Sequence, residues 1–93
     1  MNPSRARIII SGYVQGVGYR FFACDRAQSL GIAGFVKNRP DGQVEVVAEG
    51  DKDILEDFIS ILKRGPSVAS VNDVKVSWEN SSGEFRSFNI RFS

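Results

Sequence analysis

The chain has 93 residues, enough for one small domain. Apolar residues make up 42% and charged residues 25%, the balance of an ordinary globular protein rather than a disordered or fibrous one. Twelve Lys and Arg against eleven Asp and Glu leave a net charge of +1, which excludes a bulk charge signal for nucleic acid or acidic membrane but not a local basic site. One cysteine excludes an internal disulfide framework and a multi-cysteine metal site. There is no histidine. Ser-His-Asp and Cys-His catalysis and imidazole-ligated zinc are therefore excluded, and any chemistry here proceeds without the commonest general base.

Residues 1–5 read as a flexible lead. Arg7 to Val14 reads as a strand, with Ile8 and Ile10 on one face. Ile8-Ile9-Ile10 is too short for a signal or membrane segment, so the cytoplasm is the expected compartment. Gly12, Gly16 and Gly18 mark a loop that tolerates positive φ and close backbone approach. Tyr19 to Leu30 reads as a helix, with Ala23, Cys24, Ala27 and Leu30 on one stripe and Gly31 as its stop. Arg20 falls on that apolar stripe, a conflict resolved if it points off the helix start into the glycine loop. The pattern does not place Phe21 and Phe22.

Ile32 to Asn38 and Gln43 to Glu49 read as a hairpin around the turn Arg39-Pro40-Asp41-Gly42. Val44, Val46 and Ala48 share one face of the second strand; Gln43, Glu45, Val47 and Glu49 take the other. Asp51 to Arg64 is the clearest helix, with Ile54, Leu55, Phe58, Ile59, Ile61 and Leu62 as its apolar face. Asp51 or Asp53 can cap its start, and Gly65-Pro66 stops it. Val71 to Trp78 alternates as a strand, with Trp78 at a core-facing position. Asn80 to Glu84 is a polar loop, and its Asn80-Ser81-Ser82 sequon reads as bare loop. Arg86 to Phe92 alternates as the last strand. Two helices on one face of a mainly antiparallel sheet of about five strands satisfy this order, with the other face solvated. This is a ferredoxin-like, split βαβ arrangement of the α+β class.

Two groupings carry possible chemistry. The glycine loop opening into a helix gathers free N–H groups at the positive helix end, and Arg20 adds a two-pronged donor for phosphate or carboxylate. The spacing is neither a Walker loop nor Gly-x-Gly-x-x-Gly, and a tight structural turn beside a surface arginine has the same pattern. Asn38 closes a strand before a turn; its amide can hold a water, or it can simply begin the turn. Cys24 reads as a small core residue.

Ile10-Ser11-Gly12-Tyr13-Val14-Gln15-Gly16-Val17-Gly18-Tyr19-Arg20 resembles the first motif of the acylphosphatase family. Gly34-Phe35-Val36-Lys37-Asn38, with Gly42-Gln43-Val44 and Gly50, resembles the second. Tyr19 departs from the more usual phenylalanine. The resemblance spans about Arg7 to Phe92 and implies an enzyme that hydrolyses the carboxyl–phosphate bond of acyl phosphates. It implies that Arg20 is the main phosphate ligand and that the N–H groups of Gln15, Gly16, Val17, Gly18, Tyr19 and Arg20 form the cradle. Asn38 would position the attacking water. It implies a monomer with no metal or cofactor and an acyl phosphate as its small-molecule partner, with inorganic phosphate as product. The carboxylate leaving group needs no general acid, which fits a chain without histidine. A non-catalytic module binding acyl or carbamoyl phosphate is the alternative, against which stand the short chain and the lack of linkers. RNA binding on the open sheet face is disfavoured by the acids of the third strand, and no membrane or nucleic-acid partner is expected.

Overall fold

The computed structural model describes residues 3–92. In chain order its elements are β1 (Pro3–Tyr13), α1 (Tyr19–Ser29), β2 (Ala33–Asn38), β3 (Val44–Asp51), α2 (Lys52–Arg64), β4 (Ser70–Glu79) and β5 (Phe88–Arg91). The strands form one sheet in the order β4-β1-β3-β2-β5. Every neighbouring pair is antiparallel except β2 and β5. This is the ferredoxin-like α+β fold expected from the pattern of strands and helices.

The pleat sorts each strand into two faces. Ala6, Ile8 and Ile10 of β1, Val36 of β2, and Val44, Val46 and Ala48 of β3 are fully buried on the helix side. Ala23 and Ala27 of α1 and Leu55, Phe58 and Leu62 of α2 cover them. Phe58 meets Phe88 of β5 edge-on at 6.0 Å between ring centroids. α2 begins as expected, with the Asp51 carboxylate accepting from the Asp53 N–H at 3.4 Å.

Topology brings the ends of three strands together. β1 and β2 both pair antiparallel with β3, so they run the same way on either side of it. Val44 of β3 lies between Ile10 of β1 and Asn38 of β2. β5 runs parallel to β2. The carboxyl ends of β1, β2 and β5 therefore share one edge of the sheet.

Four expectations change. Pro3–Arg5, read as a flexible lead, open β1 and pair with Asp51, Gly50 and Glu49; residues 1 and 2 lie outside the described residues. Trp78 is not a core residue: β4 is an edge strand, and the ring is 41% exposed with the Lys52 ammonium 5.0 Å from its centroid. Phe92 falls just past β5 and is exposed. The face away from the helices is not simply solvated. Residues 81–85 cross it, Phe85 meets Phe35 edge-on at 5.9 Å, and Phe35, Glu45, Val47 and Glu49 are buried there. Arg5 pairs with Glu49 and Glu84, and Arg7 with Glu45 and Glu79. The acids of β3 are thus neutralised and covered, not presented as an acidic platform.

Candidate active site

β1 runs through a register shift at Ser11/Gly12 and delivers the chain into the loop 14–18. Val14 is fully buried and Val17 packs against the core, so both apolar residues pin the loop from below. Between and after them, Gly16 and Gly18 take φ of 77° and 75°. A Cβ at either would meet nothing within 4 Å, so glycine is needed there for backbone conformation rather than for space. The loop's N–H groups are left free by this shape. Among the described residues, none of Gln15, Gly16, Val17 or Gly18 donates its backbone N–H to a backbone carbonyl.

The helix that follows is equally open. α1 starts from Gly18 with no side-chain cap and no acidic residue in its first turn. Its first helical bond runs from the Phe22 N–H to the Gly18 carbonyl at 3.0 Å. Its leading N–H groups and the positive end of its dipole thus follow directly on the loop N–H groups along the chain. Tyr19 fixes that start. It is fully buried, and its hydroxyl donates to the Leu62 carbonyl in the last turn of α2 at 2.6 Å. Burial pushes its phenol pKa well above the ordinary value, so it stays a neutral donor. The hydroxyl that distinguishes Tyr19 from phenylalanine has therefore found its partner.

The half-buried guanidinium of Arg20 lies 4.8 Å from the centroid of the Phe92 ring. Phe88 and Ile90 of β5 face the helices, and the same alternation carries Phe92 toward α1. The ring holds the cation by its face without neutralising it. Among the described residues no carboxylate pairs with Arg20.

Asn38 closes β2 on the helix side, opposite Val44. Its Oδ1 is buried and accepts no hydrogen bond from any described residue. An orphaned buried acceptor costs roughly 1–3 kcal/mol, and one kept in a folded protein needs an explanation. A hollow of about 530 Å³ adjoins it, lined by Lys37, Asn38, Arg39, Pro40, Glu45 and Phe92. Phe92 thus touches both halves of the site. Gln15 also joins them, its Nε2 donating at 2.8 Å to the carbonyls of Arg39 and Gln43.

The sequence reading missed the Phe92 ring and the Gln15 side chain. Phe92 looked like one more apolar position in an alternating strand. Gln15 was read only for its backbone. A terminal aromatic beyond an edge strand was the available signal for the first; nothing local marked the second. Cys24 stays outside the site. It is half-buried, and burial with Asp25 pushes its thiol up, away from the reactive thiolate. Among the described residues, no helix is long and apolar enough to cross a membrane.

Such an arrangement suits a protein that handles phosphoryl groups: free backbone donors at a helix start, one guanidinium with no carboxylate partner among the described residues, and a neutral amide at the same edge of the sheet. A protein-family profile described as Acylphosphatase matches residues 6–90. An acylphosphatase of Pelotomaculum thermopropionicum is 42% identical over 92 residues, covering 99% of this chain and 100% of that protein. One from Thermus thermophilus is 52% identical over 75 residues, covering 81% of this chain and 85% of that protein. The crystal structure of acylphosphatase from Bacillus subtilis superposes with a TM-score of 0.92 at 40% identity, over 95% of this chain and 98% of that one. The chain belongs to the acylphosphatase family. It is a hydrolase of acyl phosphates, which it converts to a carboxylate and inorganic phosphate.

Proposed function

We propose that Arg20, the loop 15–20 and Asn38 carry this hydrolysis. The N–H groups of Gln15, Gly16, Val17, Gly18, Tyr19 and Arg20 hold the substrate phosphate, and the Arg20 fork grips two phosphate oxygens. The Asn38 amide holds the attacking water by a hydrogen bond. The hollow that Asn38 shares with Phe92, whose ring carries the Arg20 guanidinium, is the observation that carries the reading.

The chemistry asks little else of the protein. The water adds to phosphorus as the bond to the acyl oxygen breaks, and the carboxylate leaves with the bonding electrons. Its conjugate acid has a pKa of about 4, so it needs no proton. A loose phosphoryl-transfer transition state demands little bond-making from the water, whose proton passes to a phosphate oxygen. Positioning and charge stabilisation then suffice, without a metal or cofactor. The enzyme acts as a monomer in the cytoplasm, with neither nucleic acid nor membrane as partner. The ion-paired, loop-covered sheet face supports the second point, since it leaves no aromatic platform open for bases.

Steady-state hydrolysis of benzoyl phosphate, with inorganic phosphate as competitor, tests the assignment. Arg20→Ala is expected to lose at least about 10²–10³ in rate together with phosphate inhibition. Arg20→Lys recovers little, because a point charge cannot replace the planar fork. Asn38→Ala lowers kcat and spares the inhibition constant. Turnover by Arg20→Ala at the wild-type rate would remove Arg20 from the mechanism. Phosphate binding by the wild type without turnover would favour the binding-module alternative.

A further inference from the structure

The Gln15 side chain makes two hydrogen bonds that the phosphate cradle does not require. Its Nε2 donates to the carbonyls of Arg39 and Gln43, both at 2.8 Å. Both partners only accept, so both amide protons are engaged and the amide can sit only one way round. The two carbonyls stand at the neck of the β2–β3 turn. There the Arg39 N–H donates to the Gln43 carbonyl at 2.8 Å, and the Gly42 N–H donates to the Arg39 carbonyl at 3.2 Å. Arg39 directly follows Asn38. One side chain therefore ties the loop that takes the phosphate to the strand end that takes the water.

Those two ligands must stay in register, because displacement at phosphorus needs the water in line with the leaving group. A misplacement of about 1 Å costs on the order of 10²-fold in rate. Loop and strand end are 24 residues apart in sequence, and α1 lies between them. We propose that the Gln15 side chain is a positioning residue that sets the distance between the bound phosphate and the water held by Asn38. The proposal rests on the roles given above to the loop and to Asn38. It assigns Gln15 a second task, separate from its backbone N–H, and that task acts only through Asn38.

A brace that merely shaped the loop would behave differently: its loss would weaken phosphate binding as much as turnover. The test is a double-mutant cycle of wild type, Gln15→Met, Asn38→Ala and the double variant. Each is assayed for kcat on benzoyl phosphate and for competitive inhibition by inorganic phosphate. Methionine keeps the side-chain length and removes the donors. The two carbonyls keep their backbone N–H partners, so the variant leaves neither orphaned. If Gln15→Met does not fold, Gln15→Asn replaces it in the same cycle, since its amide falls one methylene short of the two carbonyls.

Gln15→Met is expected to lower kcat about 10- to 100-fold and to shift the phosphate inhibition constant by less than about two-fold. In the Asn38→Ala background the same change is expected to cost less than about two-fold, because the group it positions is gone. An equal loss of kcat in both backgrounds, or a loss of phosphate affinity matching the loss of kcat, overturns the proposal. Failure of the underlying reading shows itself separately, as a wild type without turnover or as an Asn38→Ala variant with unchanged kcat.

Discussion

Asn38 and Glu49 are both acceptors buried in the sheet, and the protein treats them in opposite ways. Glu49 receives the Arg5 guanidinium at 2.7 Å, the N–H and hydroxyl of Ser82 at 2.9 Å each, the Gly83 N–H at 3.0 Å and the Ser81 hydroxyl at 3.3 Å. Asn38 Oδ1 receives nothing from the described residues. A chain able to surround one buried carboxylate with five donors had the means to satisfy one amide oxygen. Burial alone would raise the Glu49 pKa, but the Ser82 N–H, Arg5, the Ser82 hydroxyl and the Gly83 N–H outweigh it and hold the group at about 2, below its ordinary 4.5. Between those values the unfolded chain binds more protons than the folded one, so stability rises with pH there. The Glu49 contribution is complete above about pH 4.5 and drains away as the pH falls toward 2. Urea midpoints measured down that range should fall for the wild type. They should fall less steeply for Glu49→Gln, which starts from a lower value; equal slopes would remove Glu49 from the acid response.

At the scale of elements, the two helices differ in one telling respect. α2 caps itself with Asp51 and carries Asp53 in its first turn, while α1 starts bare. A helix end left open by its own sequence is held in place by other means, and here the Tyr19–Leu62 bond does so. Tyr19→Phe should cost about 1 kcal/mol of stability in urea unfolding, the usual net value of one such bond. It should leave kcat and phosphate inhibition within about three-fold, since the cradle N–H groups belong to the backbone. A large loss of activity without loss of stability would instead place the hydroxyl in the chemistry.

The elements themselves were legible because they are local. The alternation of Ile8 and Ile10, the broad face of α2 and the Pro-Asp-Gly turn need only neighbours within a few residues. The glycine loop and Asn38 were legible as types, and the resemblance to the family motifs implied their roles. What escaped depends on partners far along the chain. Glu49 meets Ser82 across 33 residues and Gln15 meets Arg39 across 24, and no periodicity reports such pairs. Trp78 and Phe92 misled for a related reason. Alternation tells which face a side chain takes, but not whether its strand is an edge or whether it has already ended.

For the molecule as a whole, sheet order explains why so small a chain can assemble a site. Threading β3 between β1 and β2 leaves two strands pointing the same way, and β5 adds a third. Their shared edge collects the loop 14–18, the Asn38 amide and the ring under Arg20. The net charge of +1 says nothing of this edge; in the proposed mechanism the local field comes from Arg20, which pairs with no carboxylate among the described residues. The absence of histidine fits a reaction in which the leaving group departs as an anion. The central claim is that a bound water attacks phosphorus, not the acyl carbon. Hydrolysis of benzoyl phosphate in heavy-oxygen water, with the products weighed by mass spectrometry, tests it most directly. The label is expected in inorganic phosphate and not in benzoate; label in benzoate would mean attack at the carbonyl and would contradict the roles given to Arg20 and Asn38.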